Sequence, residues 1–297
     1  MSKFSPSDAA LEGFRLTRER PGTILAWGGV YFLGVMLMAA VMAMGLGPEF
    51  VTYLKDANLD PQEQAEFADL LIRSWPAFLL VLAMVLMIIA VLTAGVYRLV
   101  LRPHERGLAH LRLGADELRL AVVHLMLFSV GIGMLVAAEL VVAGLSSDGP
   151  APPGPVALVG AVLAVALIWV GVRLSLATPL TFAEKRISLG AAWRLTRGRF
   201  WSLFGMIVLA GVFYLMVSIL IGIIGLAITA LAGGREALAH PQMMSPVALV
   251  AFIVTLVLQL LMPILWVVTL YAPYAVAYRE IMGLTPAPVE LPGARPA

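Results

Sequence analysis

The chain of 297 residues contains no cysteine, which excludes disulfides, thiolate metal sites, iron–sulfur clusters and a cysteine nucleophile together. Charge is also scarce. Asp, Glu, Lys and Arg make up 13% of the residues against 61% hydrophobic ones, and the mean hydropathy is +0.95. So little polar surface cannot wrap a soluble core of this length, and the composition is that of an integral membrane protein. Among the four histidines, His110, His124 and His240 are scattered and none has zinc spacing with another. There is no glycine loop followed by Lys-Ser/Thr. Serines such as Ser129 and Ser218 have no histidine and acid in support on the same side. No catalytic set or metal site can be assembled, no cofactor is implied, and the expectation is a non-enzymatic protein.

What the chain has in quantity is long apolar sequence. Six runs, at about 23–46, 76–98, 120–145, 155–177, 200–232 and 246–278, each meet or exceed the ~20 residues a helix needs to cross ~30 Å of hydrocarbon. The runs are continuously apolar and lack the alternation of a membrane barrel. The fold class expected is an all-α polytopic bundle of six transmembrane helices forming a single membrane domain, with 287–297 as a flexible tail. The first run is too long for the h-region of a signal peptide and passes through Met36, Met38, Met42 and Met44 without a cleavage site, so it is expected to be retained.

Basic residues fall on one side of these runs. Lys3, Arg15, Arg18 and Arg20 precede the first. Arg98, Arg102, Arg106, Arg112 and Arg119 lie between the second and third. Arg173, Lys185, Arg186, Arg194, Arg197 and Arg199 lie between the fourth and fifth, and Arg279 and Arg295 follow the sixth. Only Lys55, Arg73 and Arg235 lie on the other side. The positive-inside rule then places both termini in the cytoplasm. The sequence pI near 9.0 reflects this one-sided surplus, which suits anionic lipid; no basic stretch interleaved with aromatics outside the membrane points to nucleic acid.

The outward loops are small. The first carries a helix signal, Asp60-Pro61-Gln62-Glu63, with an N-cap, proline at N1 and a carboxylate at N3. Its acids, Asp56, Asp60, Glu63, Glu66 and Asp69, are expected to form a solvated face. The second, Ser146 to Pro155, and the third, near Gly233 to Pro241, are short. None has room for a catalytic domain.

The inward segments resemble one another. Arg15-Leu16-Thr17-Arg18-Glu19-Arg20 precedes the first span and Arg194-Leu195-Thr196-Arg197-Gly198-Arg199 the fifth, while Arg98, Arg173 and Arg279 close the second, fourth and sixth. This order is compatible with three parallel helical-hairpin repeats about an axis along the membrane normal, or with the arginines that any six-span protein collects at its inner face.

Two groups of residues are candidates for function. The first is a collar of Arg98, Arg173, Trp193, Arg194, Arg197, Arg199, Trp201 and Arg279, where guanidinium groups meet phosphate and indole rings sit at the headgroup layer. The alternative is a topological anchor without lipid recognition. The second is Glu139, the one acid inside a span, roughly 7 Å from the midplane if its helix is centred near Met134. Gln259 is its best-placed intramembrane companion in the sequence. Pro263 and Pro273 are expected to kink or break the sixth span.

The stretch from Arg173 through Pro179 to Ala191-Ala192-Trp193-Arg194-Leu195-Thr196-Arg197-Gly198-Arg199-Phe200-Trp201 resembles the signature region of a bacterial membrane-domain family. That family includes uncharacterised inner-membrane proteins and the membrane portion fused to some glycerophosphodiester phosphodiesterases. The resemblance implies a multi-helix inner-membrane domain near phospholipid metabolism and transfers no catalytic residue. Glu105 interrupts what would otherwise match a phosphodiesterase His-Arg-Gly signature at His104-Glu105-Arg106-Gly107. The function expected is binding or organising anionic phospholipid through the collar, or serving as the membrane partner of another protein. The alternative is a small-solute or lipid transporter using Glu139 and a kinked sixth helix.

Overall fold

The computed structural model describes residues 5–47, 50, 61–105, 108–146, 152–234 and 245–284. The expected cap Asp60, the outward bases Lys55 and Arg235, Arg106 and the tail from 287 lie outside them. Among the described residues every regular element is helical. They are α1 (Pro6–Glu19), α2 (Pro21–Leu46), α3 (Pro61–Arg73), α4 (Trp75–Leu101), a 3-10 turn (Leu108–His110), α5 (Ala115–Leu145), α6 (Pro153–Leu174), α7 (Ala177–Glu184), α8 (Leu189–Leu195), α9 (Phe200–Leu231) and α10 (Pro246–Ile281). Six of them, α2, α4, α5, α9, α10 and the α6–α7 stretch, are long and apolar enough to cross a membrane. The chain is a polytopic helical bundle.

The helix starts follow from local chemistry. Proline stands in the first turn of α1, α2, α4, α6 and α10, where its missing N–H is no loss and its fixed φ suits the helix. Ser5, Ser188 and Ser245 cap α1, α8 and α10 by accepting from the amides of Asp8, Ala191 and Ala248. The expected spans are found with shifted ends. Thus α5 begins at Ala115, before the apolar run, and the fourth span stops at Leu174 before turning through Ser175 and Leu176 into α7.

Each hairpin, α2 with α4, α5 with α6, and α9 with α10, packs within itself, and α4 and α10 hold the three together. The packing is uneven along the axis. Buried residues concentrate at the arginine-rich end, at 90–100 of α4, 264–278 of α10 and 176–182 around α7. Toward the opposite end large apolar side chains such as Leu140, Val165, Ile223 and Val250 are exposed. Counting ~20 residues of hydrocarbon from the far ends of α4, α5, α6 and α10 puts the membrane boundary near Gly95, Leu125, Arg173 and Trp266. The helices therefore cross the bilayer loosely and continue past it into a tight polar-capped layer. At 36 residues, or about 54 Å, α10 accounts for much of that overhang.

The N-terminal segment is part of this layer. Its helix, α1, runs alongside α10 and α9, from the Ser5 amide, which donates to Glu280 at 3.4 Å, to Gly13, where an added Cβ would lie 2.7 Å from the Thr269 Cα. Its buried face carries Ala9, Ala10 and Gly13, small enough for close approach, beside Glu12 and Leu16. Gly95 serves the same purpose between α4 and α2, because a Cβ there would meet the Trp27 ring at 2.8 Å.

The sixth span is not broken. Helix α10 is continuous from Pro246 to Ile281 with Pro263 and Pro273 inside it. Each ring removes one i→i−4 bond, freeing the carbonyls of Gln259 and Thr269, but neighbouring packing holds the helix together.

Candidate functional site

The arginine-rich end is organised around Arg98. The last turns of α4 carry it inward to 3% exposure, where its guanidinium pairs with Glu117, itself 1% exposed at the start of α5. It also donates to the His110 carbonyl at 2.9 Å, lies 3.7 Å from the Glu105 carboxylate and stands 5.7 Å from the Phe182 ring centroid. The 3-10 turn it holds places Ala109 and His110 at positive φ, 49° and 60°. The Trp27 indole N–H donates to the Ala109 carbonyl at 2.8 Å, so two side chains pin that left-handed turn.

Other arginines finish helix ends. The Arg102 guanidinium donates to the carbonyls of Phe182 and Ala183 at the end of α7, stacks 4.6 Å from the Phe182 ring and approaches Glu105 and Asp116 at 3.5 and 3.6 Å. Arg279 donates to the Val100 carbonyl at the end of α4 at 3.4 Å. A guanidinium here satisfies carbonyls that no helical N–H reaches and opposes the negative end of the helix dipole. Arg98 is therefore not available to a headgroup, contrary to its place in the expected collar: burial and the Glu117 carboxylate hold it in the protein interior. Arg98, Arg173 and Arg279 also have three different sets of partners.

Above this lies a layer of hydroxyls. Tyr97 and Thr178 share a hydrogen bond of 2.6 Å. His124 Nδ1 stands 2.8 Å from the Leu120 carbonyl, which only accepts, so that nitrogen carries the proton and Nε2 accepts from the Tyr271 hydroxyl at 3.0 Å. The rings of Tyr97, Tyr271 and Tyr274 pack edge to face along the layer. It sits at the membrane boundary, where amphipathic rings are stable.

The remaining collar residues face outward. Arg173 stacks 4.7 Å from the Trp193 ring, which meets Trp169 at 4.9 Å. The Thr196 hydroxyl donates to the Arg173 carbonyl at 2.9 Å and so fixes the end of α8 at the level of the end of α6. Beyond it Arg194, Arg197 and Arg199 are exposed, the chain turns at Gly198 with φ +79°, and Trp201 opens α9 at 78% exposure. Arg194 and Arg197 have no partner among the described residues, and Arg199 reaches only the Leu195 carbonyl, at 3.5 Å.

The intramembrane pair is not brought together. Glu139 is exposed on α5 and makes no hydrogen bond or ion pair among the described residues. Gln259 lines a cavity of about 420 Å³ between α9 and α10, with Ser218, Thr229 and Thr255, and no residue of α5 contributes to it.

The buried pair and the hydroxyl layer were not legible as sites in the sequence. Glu117 carries no motif and His124 has no metal spacing. Their only sequence signal is helical spacing: Glu117, Leu120 and His124 recur at three and four residues and so share one face of α5. No family model matches the chain, and neither a curated protein nor a solved structure matches it, so the resemblance of the 173–201 stretch rests on its own residues.

Proposed function

We propose that this is a non-enzymatic, multi-pass inner-membrane protein, with both termini in the cytoplasm, that binds anionic phospholipid at its arginine-rich end. The observation that carries this reading is the contrast among the arginines. Arg98, Arg102 and Arg119 spend their charge on Glu117, Glu105 and Asp116, whereas Arg194, Arg197 and Arg199 are exposed without a carboxylate partner. Those three stand between the Arg173–Trp193 stack and the exposed Trp201. Guanidinium groups at that depth offer bidentate donors to headgroup phosphates, and the indoles hold the segment at the interface. The resemblance to a membrane domain found with phospholipid-metabolising enzymes supports the same setting, including a protein partner.

The experiment is native mass spectrometry of the detergent-extracted protein, comparing wild type with the Arg194→Gln, Arg197→Gln, Arg199→Gln triple variant. Each base near an anionic surface contributes about 1 kcal/mol, so the variant should lose about 3 kcal/mol, a factor of roughly a hundred in affinity for phosphatidylglycerol or cardiolipin. Equal retention of anionic lipid by both proteins reduces the segment to a topological anchor.

A further inference from the structure

A second cavity, of about 220 Å³, opens between the α5–α6 hairpin and α10. Its walls are Leu127 to Met134 of α5 and Leu167 to Leu174 of α6, spaced apart by Gly131 and Gly171, where an added Cβ would meet nothing within 4 Å. Its floor is polar and comprises Ser175, Thr178, Tyr271 and Tyr274. The groove therefore runs from the hydroxyl layer at the membrane boundary into the hydrocarbon.

The floor has a donor to spare. Tyr274 is 9% exposed, lines the groove, and its hydroxyl has no hydrogen-bond partner among the described residues. The hydroxyls of Tyr97 and Thr178 are paired with each other at 2.6 Å. Tyr271 is already committed as donor to His124. A hydroxyl left without an acceptor beside hydrocarbon is costly, so the floor calls for a group that accepts. No lysine or arginine lines the groove, which excludes a phosphate and leaves a neutral acceptor at the end of an apolar chain. At this depth, just inside the headgroups, that acceptor is the ester carbonyl of a glycerolipid.

We infer that the groove between α5, α6 and α10 seats one acyl chain of a diacyl glycerolipid from the leaflet on the arginine-rich side, its ester carbonyl accepting from the Tyr274 hydroxyl. The inference rests on the reading of the protein as a phospholipid binder, but it uses none of the collar arginines and is indifferent to headgroup charge. The collar selects the headgroup and the groove fixes the chain.

The test uses the full chain in phosphatidylcholine vesicles containing equal amounts of ester-linked and ether-linked lipid of distinguishable mass. Because this headgroup is zwitterionic, failure of the collar leaves the result unaffected. Photoreactive p-benzoylphenylalanine replaces Met134 in the groove or, as a control, the lipid-facing Leu215 of α9, and the adducts are weighed. At position 134 the ester lipid should be favoured about fivefold, the worth of about one hydrogen bond, and at 215 there should be no preference. Tyr274→Phe should bring the ratio at 134 to unity, and Gly171→Leu should suppress adducts at 134 while sparing those at 215. Equal capture of ester and ether lipid at 134 by the wild type, or undiminished capture with Gly171→Leu, overturns the proposal.

Discussion

Replacing Arg98 by Met should be among the most damaging single changes the arginine-rich end can suffer. The guanidinium is 3% exposed and its chief partner, Glu117, is 1% exposed, so neither charge has water to fall back on. Removing Arg98 strands a buried carboxylate and leaves the His110 carbonyl without its 2.9 Å donor. Breaking a buried pair on one side costs about 3–5 kcal/mol. Glu117→Leu should cost somewhat less, because Arg98 keeps Glu105 at 3.7 Å and the His110 carbonyl. The double variant removes both charges and should cost only about 1–2 kcal/mol, chiefly the lost bond to His110 and imperfect repacking. The singles and the double thus form a cycle with a coupling of several kcal/mol, far above the few tenths expected of independent sites. Unfolding in mixed micelles with increasing SDS, followed by tryptophan fluorescence, measures all four proteins. If the single effects simply add, the pair is not a buried ionic contact and the account of this end of the bundle fails.

Two further outcomes follow from the same layer. Gly13→Val should loosen α1 from α10, since the new Cβ would fall 2.7 Å from a backbone atom that cannot step aside, and a loss of about 1–3 kcal/mol should appear with faster proteolysis of the first twenty residues. Burial first, then the charges of Arg20, Arg98 and Arg112, hold the His110 imidazole below its ordinary value of 6.5, so the folded protein binds fewer protons there than the unfolded chain. That contribution to stability is complete above about pH 6.5 and is lost as pH falls from there through the lowered value. The melting temperature of His110→Gln should therefore decline less than that of wild type between pH 7 and 5, and parallel declines would contradict the assignment.

The sequence by itself determined that the chain spans a membrane six times and where each span falls, because a helix in hydrocarbon needs a continuous apolar run and such runs cannot hide. It also marked the Pro61 helix and the arginine-bearing segment before α9, since proline and clustered charge act through the nearest turn of backbone. The packed role of α1 was not read from the sequence: the segment is amphipathic, with Ala9, Ala10, Gly13 and Leu16 on one face, but a short charged helix before a span gives no sign of which helix that face meets, and the packing against α10 decides it. Nor could sequence distinguish Arg98 from Arg197. Both are arginines at the arginine-rich end of the bundle, but one turns toward Glu117 and the other toward solvent, and only the packing of α4 against α5 decides which. The same holds for Glu139 and Gln259, polar residues in separate helices that the fold keeps in different surroundings. The hydroxyl layer assembles Tyr97, His124, Thr178 and Tyr271 from four helices, and contacts between residues so far apart in the chain belong to tertiary structure alone.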